Sequence, residues 1–288
     1  MNDKVKGVFC ILMAAFFFAL MTLFIRLAGD VPSMQKSFFR NAVALIIAFF
    51  ALKKSGIGFK WKKGNFPYLF MRAFFGTLGL ICNFYAVDHL VLSDANMLNK
   101  LSPFFAIICS IFILKEKVKP YQWAAVIAAF IGALFIIKPT GVTVNFASII
   151  GLIGGMGAGT AYTMVRKLSQ RGEKGPFIVF FFSAFSCIVI LPFVIFDYHP
   201  MTLMQTLALI ATGIAAAGGQ FSITAAYSYA PAREISVFDY SQVLFAALMG
   251  FFFLGQVPDI WSILGYIIIC SVSVIMFLKN KKEYEKQN

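Results

Sequence analysis

The chain has 288 residues, of which 60% are hydrophobic and 13% are charged, and its net charge is +13 at pH 7. Soluble domains contain about 45–50% apolar and about 25% charged residues, so this composition excludes water as the main solvent of the protein. Lys and Arg lie in short gaps between apolar runs, which is typical of membrane flanks and not of a nucleic-acid-binding face. We therefore predict a multi-pass protein whose surroundings are the lipid bilayer, with no nucleic-acid partner.

The first apolar run follows Lys4 and Lys6 and continues to Leu23. It is longer than the apolar core of a signal peptide, which has about 7–15 residues, and we interpret it as a retained first span. The five cysteines also lie inside apolar runs, without CxxC or Cys/His spacing. We expect no disulfide framework, no metal site and no cofactor.

Ten segments meet the requirement of about 20 mainly apolar residues for a transmembrane helix. The predicted spans are 7–27, 33–52, 67–87, 92–114, 121–138, 147–168, 176–196, 203–228, 232–254 and 258–278. Prolines at several predicted starts support these boundaries, because Pro is tolerated in the first turn of a helix and disfavoured further in. Pro103 and Pro192 are interior exceptions, for which a harmless bend and a gating hinge both stay open.

Basic residues are divided unevenly between the gaps on the two sides of these spans. Of the 25 Lys and Arg residues, 19 fall on the side of the N-terminus, three fall on the opposite side and three lie within spans. Lys and Arg are enriched in cytoplasmic loops. We therefore predict that both termini are cytoplasmic and that the protein lies in the cytoplasmic membrane.

The two halves of the chain align without a gap at an offset of 140 residues. The matched positions are Arg26 with Arg166, Gly79 with Gly219, Asp94 with Glu234, Leu114 with Leu254, and Glu116 with Gln256. Five spans per copy, an odd number, give the copies opposite orientations, as in the inverted repeats of secondary transporters. We predict an all-α membrane protein of ten transmembrane helices, with one repeat at 1–140 and the other at 141–288.

Short motifs in both halves resemble the EamA domain of the drug/metabolite transporter superfamily. In the first half they are Arg72-Ala-Phe-Phe-Gly76, Asn83-Phe-Tyr-Ala86, Leu92-Ser-Asp-Ala95 and Leu114-Lys-Glu-Lys117. In the second half they are Ala225-Ala-Tyr227 and Leu254-Gly-Gln-Val257, where Gln256 replaces the acidic residue common in the family. The resemblance implies that spans 5 and 10 are peripheral and that spans 1–4 and 6–9 line a central cavity. It does not fix the substrate, since members carry amino acids, nucleotide-derived metabolites, vitamins or drugs.

Ionisable side chains within spans are functional candidates, because at bilayer depth they are costly unless they are paired or hydrated. Asp239 is either a proton acceptor or substrate counter-ion, or else a structural partner of Lys100 or Arg40. Arg40 either reaches the outer interface or anchors a substrate carboxylate or phosphate. Arg72 lies just over one turn into span 3, so we expect it to extend to the cytoplasmic surface.

Neutral polar residues of spans 3, 4, 8 and 9 complete the predicted substrate-binding set. Together with Arg40, Lys100 and Asp239, the set contains Asn83, Tyr85, Asn96, Asn99, Gln220, Tyr227, Tyr240 and Gln242. On a continuous helix Asn96, Asn99 and Pro103 would share one face. Each of the neutral residues either contacts substrate or joins helices through hydrogen bonds.

These features predict a secondary transporter that moves a small polar metabolite, an amino acid or related zwitterion or anion, by alternating access. Proton coupling through Asp239 stays open, as do three alternatives: an exporter of cationic drugs, a channel and a membrane scaffold. An enzyme is not expected, because the sequence has no convergent set of catalytic groups. The sequence does not choose between import and export, or between a monomer and a homodimer.

Overall fold

The computed structural model describes residues 3–56, 58–90, 92–137, 146–255 and 257–285. All regular structure within these ranges is helical. In chain order the helices are α1 (Asp3–Leu27), α2 (Ser33–Lys54), α3 (Phe66–His89), α4 (Leu92–Asn99), α5 (Ser102–Leu114), α6 (Pro120–Ile137), α7 (Phe146–Gln170), α8 (Gly175–Phe196), α9 (Leu203–Tyr229), α10 (Ala232–Ile235), a 3₁₀ helix (Ser236–Tyr240), α11 (Ser241–Leu254) and α12 (Ile260–Glu285).

Nine helical segments in this described part of the chain are long and apolar enough to cross a membrane, and α5 is a shorter apolar helix. Apart from α5, these segments coincide with the predicted spans except for shifts at their ends. The largest shift is in α12, which continues to Glu285 because the segment after residue 278 is rich in good helix formers such as Lys and Glu. The prediction of an all-α membrane protein is confirmed.

The outer surface of the bundle is apolar. Phe112, Phe196 and Phe252 are 78%, 89% and 74% exposed, and many other large apolar side chains are exposed around the helices. Monomeric soluble proteins rarely expose contiguous apolar patches of this extent. These side chains therefore face lipid, and the polar residues inside the bundle are separated from it.

Two of the ten predicted spans are not continuous helices. The predicted span 92–114 is divided into α4 and α5, and the predicted span 232–254 consists of α10, the 3₁₀ helix and α11. Pro103 lies in the first turn of α5, where proline is favoured, so it begins a helix and does not bend one. Pro192 lies inside α8 as expected. Discontinuous helices in transporters supply backbone groups at the depth of the substrate site.

The local geometry of the two halves repeats at the 140-residue offset. α5 and α11 end at Leu114 and Leu254, and the next residues, Lys115 and Gly255, have left-handed φ values of 56° and 64°. Gly adopts this conformation freely, whereas Lys does so at a steric cost. Both halves therefore end this helix in the same backbone conformation, although Lys115 is an unfavourable residue for it.

Helices pack in pairs that are preserved when the halves are exchanged. α1 packs on α9 and α3 on α7, while α2 packs on α8 and α6 on α12. Because α1 corresponds to α7 and α3 to α9, exchange turns the first pair into the second and leaves the other two unchanged. This is the contact pattern of two halves related by a two-fold axis. α6 and α12 pack mainly on each other, at the periphery.

The beginning of α1 and the end of α12 lie on the same side of the bundle, which we call the N-terminal face. Lys4 pairs with Glu234 in α10, whose neighbour Arg233 donates to the carbonyl of Lys117 just before α6. At the other end of the chain, Lys279 lies over the ring of Tyr121. That this face is cytoplasmic stays a prediction from charge. The described residues do not include Met1, Asn2, Lys138, Gln256, residues 286–288, the repeat boundary at 140/141 or the side chain of Asp94.

Candidate functional site

The interruptions of the two broken spans meet inside the bundle. Lys100 follows α4, and its Nζ lies 3.3 Å from Oδ2 of Asp239 in the 3₁₀ helix. The same Nζ donates to Oε1 of Gln242 at 2.7 Å, and the hydroxyl of Tyr240 donates to the carbonyl of Lys100 at 3.0 Å. Four residues predicted from the sequence are thus brought together, three of them on backbone that is not α-helical and Gln242 in the first turn of α11.

This contact lies at the axis that relates the two halves. Lys100 and Tyr240 occupy equivalent positions at the 140-residue offset, and they are hydrogen-bonded to each other. Equivalent residues of two related halves can touch only near the axis between them. The ion pair of Lys100 with Asp239 therefore joins the two repeats near this axis, and the site of an inverted-repeat transporter is expected between the repeats.

Arg40 is buried in α2 and is held within the bundle. It is 5% exposed, its Nε donates to Sδ of Met21 at 3.2 Å, and one terminal nitrogen donates to Oδ1 of Asn41 at 3.0 Å. A side chain that reached the outer interface would place its charge in water. Arg40 therefore does not reach the outer interface, and its role as an anchor for a substrate carboxylate or phosphate stays a prediction.

Arg72 is also buried, and the prediction that it extends to the cytoplasmic surface is wrong. It is 2% exposed, donates to Oε1 of Gln220 at 3.1 Å, and lies over the ring of Phe182 with 4.2 Å between guanidinium carbon and ring centroid. Gly76, one turn further along α3, leaves room for this arrangement, because a Cβ there would collide with the guanidinium and with Phe182. The depth of a residue along its helix did not reveal the direction of its side chain.

Tyr162 in α7 was not predicted, although it lies within electrostatic range of both arginines and of Asp239. Its phenol interacts electrostatically with Arg40, Arg72 and Asp239. Its ring stacks on Tyr227, with ring centroids 5.1 Å apart. The Tyr227 hydroxyl lies 3.3 Å from Oγ of Ser236 in the broken span. A single tyrosine in a glycine-rich helix gave no periodic signal by which it could have been found.

The side chains of the remaining predicted residues form no described hydrogen bond with this cluster, although the main-chain oxygen of Asn96 accepts from the N–H of Lys100 at 3.0 Å. Asn83 is at the contact of α3 with α7, where its main-chain nitrogen approaches Gly154, and Tyr85 stacks on a histidine at the end of α3. Asn96 is exposed and lines a cavity of about 340 Å³, while Asn99 is half-buried. Because α4 ends at Asn99, the predicted stripe of Asn96, Asn99 and Pro103 is not a single helix face.

A second polar cluster closes the bundle at the N-terminal face. Arg166 donates to the main-chain oxygens of Tyr227 and Ser228 at 3.5 and 2.7 Å, at the end of α9. A cation is favourable there because helix carbonyls end unpaired with a partial negative charge. Glu116 lies between α5 and α6, and burial raises the pKa of its carboxyl, although Arg233 and Arg166 act in the opposite direction.

The two ends of the bundle differ at equivalent positions. Arg166 is half-buried and bonded at the N-terminal face, whereas its counterpart Arg26 is exposed at the other end. Arg26 lines the cavity of about 340 Å³, together with residues of α1, α4, α6, α11 and α12. The two arginines thus have different surroundings although they are equivalent in the repeat.

Comparison with known proteins agrees with this architecture. The model of the EamA-like transporter family matches residues 5–138 and 145–278, two ranges that begin 140 residues apart. The chain belongs to the EamA-like transporter family. This EamA protein is therefore a multi-pass membrane transporter and not an enzyme.

Relatives of this EamA protein are named for different transported compounds. The pseudopaline exporter CntI of Pseudomonas aeruginosa is 31% identical, over 96% of this chain and 97% of the relative. A riboflavin transporter of Vibrio cholerae is 28% identical, over 100% of this chain and 98% of the relative. A crystal structure with 14% sequence identity superposes with a TM-score of 0.85, covering 96% of this chain and 98% of that one, and this shows the fold alone.

Proposed function

We propose that this protein is a secondary carrier that moves a small polar metabolite, an amino acid or a related zwitterion or anion, across the cytoplasmic membrane by alternating access. The observation that supports this most directly is the ion pair of Lys100 with Asp239 at the axis between the halves. A substrate carboxylate could replace Asp239 beside Lys100, while a substrate ammonium could replace Lys100 beside Asp239. Either exchange would loosen the contact between the repeats.

Lys100, Asp239, Arg40 and Arg72 form what we call the central cluster. Its net charge favours an anion or zwitterion over a lone cation. Lys100 and Asp239 compensate each other, whereas Arg40 and Arg72 add two positive charges. Among the side chains that the structure describes, neither guanidinium lies within ion-pair distance of a carboxylate. Buried charge is costly without a counter-ion. An exporter of cationic drugs would need the opposite balance.

The difference between Arg166 and Arg26 supports alternating access. In a symmetric scaffold with two states, the end that is closed in one state would open in the other. Arg166 bonds to the end of α9 at one face, and Arg26 is exposed at the other. We propose that these two arginines exchange roles during the transport cycle.

The relatives support carriage of a small molecule without identifying it here. One is named as an exporter of pseudopaline and another as a transporter of riboflavin. Because these cargoes differ between proteins of similar identity to this chain, substrate assignment needs measurement.

Counterflow into proteoliposomes tests this proposal. The purified full-length chain is reconstituted with unlabelled L-glutamine, L-glutamate or ethidium inside, and uptake of the same labelled compound is followed. We expect saturable uptake that is accelerated by internal amino acid. Movement of ethidium alone would support a cationic drug exporter, and non-saturable flux that internal substrate does not accelerate would support a channel; either result would overturn the proposal.

A further inference from the structure

We infer that Arg40 and Arg72 form a subsite for a dianionic group of the cargo, either two carboxylates or one phosphate. This inference rests on the proposed carrier function and specifies its substrate class. It concerns a part of the central cluster different from the Lys100 ion pair, which is already balanced by Asp239.

Arg72 has unused donors in a buried position. A guanidinium carries five N–H groups, and the only described hydrogen bond of this one goes to Gln220. Its Nε is buried without a hydrogen-bond partner among the described residues. Buried polar groups are normally paired, and an arginine has the donor geometry to bind a carboxylate or phosphate through two parallel bonds. The unpaired nitrogen therefore marks a position for a ligand oxygen.

Arg40 contributes a second cation without a carboxylate partner among the described side chains. Its contacts are the thioether of Met21 and the amide oxygen of Asn41, both of them neutral. The charges of the two arginines act on each other, and each also acts on the phenol of Tyr162. Two like charges in a poorly solvated interior are unfavourable unless an anion lies between them. A dianion would compensate both, whereas a monoanion would leave one charge uncompensated.

The surroundings of Arg72 fix the direction of its guanidinium. The ring of Phe182 stacks under it, and the absence of a side chain at Gly76 provides the space that it occupies. Arg stacks on aromatic rings while its edge remains free for hydrogen bonds. This support holds the donors in place before the ligand arrives, so we expect Arg72 to select for charge and geometry.

Binding of matched probe pairs to the full-length chain in detergent tests the inference. Each pair differs in one acidic group: L-glutamate with L-glutamine, and O-phospho-L-serine with L-serine. We expect at least one of the two acidic probes to bind at least about tenfold more tightly than its neutral partner. Preference for L-glutamate would assign the subsite to two carboxylates, and preference for O-phospho-L-serine would assign it to a phosphate. Equal affinity within both pairs would overturn the inference.

Substitutions of the two arginines test whether these residues cause the preference for the acidic probe. Arg40→Gln and Arg72→Gln should each weaken the acidic probe at least about tenfold and change the neutral probe less than about twofold. The exposed Lys54→Gln removes the same charge at the surface and should leave the preference intact. Arg72→Lys keeps the positive charge but lacks the planar guanidinium with its parallel donors. It should bind the acidic probe more tightly than Arg72→Gln does, which would show that the loss in Arg72→Gln is due to the missing charge and not to misfolding. Unchanged preference in both Gln variants would contradict the assignment.

Counterflow separates failure of this inference from failure of the proposed function. If the wild-type chain exchanges L-glutamine and L-glutamate equally well, and both Gln variants do the same, the carrier proposal stands and the dianion subsite is wrong. If the wild-type chain exchanges none of the four probes, the proposed function fails, and the subsite inference fails with it.

Discussion

The hydroxyl of Tyr240 donates to the main-chain oxygen of Lys100 at 3.0 Å, and these two residues are equivalents in the two repeats. The backbones of the two halves are therefore symmetric at this contact, but the side chains are not. One half supplies a cation at this position and the other half supplies a phenol. Asp239 and its equivalent Asn99 differ in the same way. An ion pair across the axis arises because the halves have diverged at two adjacent positions.

The first prediction concerns the stability of the ion pair. Lys100→Met should lower the free energy of unfolding by about 3–5 kcal/mol, because it leaves the carboxylate of Asp239 buried without its cation. The double variant Lys100→Met/Asp239→Asn should be more stable than the single Lys100→Met variant. Thermal unfolding in detergent compares these two variants with the single Asp239→Asn variant, and strictly additive effects of the two changes would show that the pair is not coupled.

The second prediction concerns the space beside Arg72. Gly76→Ala should lower the unfolding temperature and the rate of counterflow, because the added Cβ would collide with the guanidinium and with Phe182. Gly175→Ala is the matched control, since a Cβ there would lie 3.5 Å from a methyl group of Thr224, an ordinary contact. Equal behaviour of the two variants would mean that the guanidinium does not need this space.

The third prediction concerns pH. The pKa of Glu116, outside the spans, is raised above 4.5 by burial, against the opposing effects of Arg233 and Arg166, while Glu234 adds to the rise. A raised carboxyl pKa means that the folded chain binds the proton more tightly than the unfolded chain. The contribution of Glu116 is therefore fully present below its unfolded pKa and is lost as pH rises through its folded pKa.

Glu116→Gln should remove this part of the pH dependence and should be more stable than the wild type above the folded pKa. Unfolding temperatures measured from pH 4 upwards, roughly to neutrality, test the prediction. The exposed Asp30→Asn serves as the control for removal of one carboxyl at the other end of the bundle. If Glu116→Gln and the wild type have parallel profiles, the burial of Glu116 has no effect on titration.

The fourth prediction concerns the N-terminal face. Arg166→Gln should increase amide hydrogen exchange at the end of α9 roughly tenfold or more, since a bond from a charged donor to the carbonyls there is lost. Arg26→Gln, the equivalent change, should leave that segment unaffected because Arg26 is exposed at the other end. Hydrogen exchange followed by mass spectrometry compares the two variants. The same increase in both would contradict a local role of Arg166.

The spans could be predicted because a run of about 20 apolar residues is a strong signal that does not depend on neighbours. The interruptions could not be predicted in the same way. The residues from Ser236 to Tyr240 are compatible with either a 3₁₀ or an α-helix, and the packing of the two halves decides between them. Pro103 in the first turn of α5 is the sequence signal for the first interruption, but a proline at this position also fits a kink within one long helix.

The central cluster was only partly predictable. Lys100 and Asp239 were found because ionisable residues within spans are rare, and the pair itself was one of the interpretations left open. Arg72 was misjudged because distance from the helix end was taken as depth, whereas the direction of the side chain depends on Gly76 and on the facing helices. Tyr162 was missed because its role depends on three other helices.

We propose that the contact between Lys100 and Asp239 breaks and re-forms during transport. Counterflow in proteoliposomes tests this most directly, with Lys100→Met as the test variant and the exposed Lys54→Met as the control. The initial rate should be saturable and accelerated by internal substrate in the wild-type chain. It should fall at least about tenfold in Lys100→Met and stay within about twofold of the wild-type value in Lys54→Met. Lys100→Met transport at the wild-type rate would contradict the account.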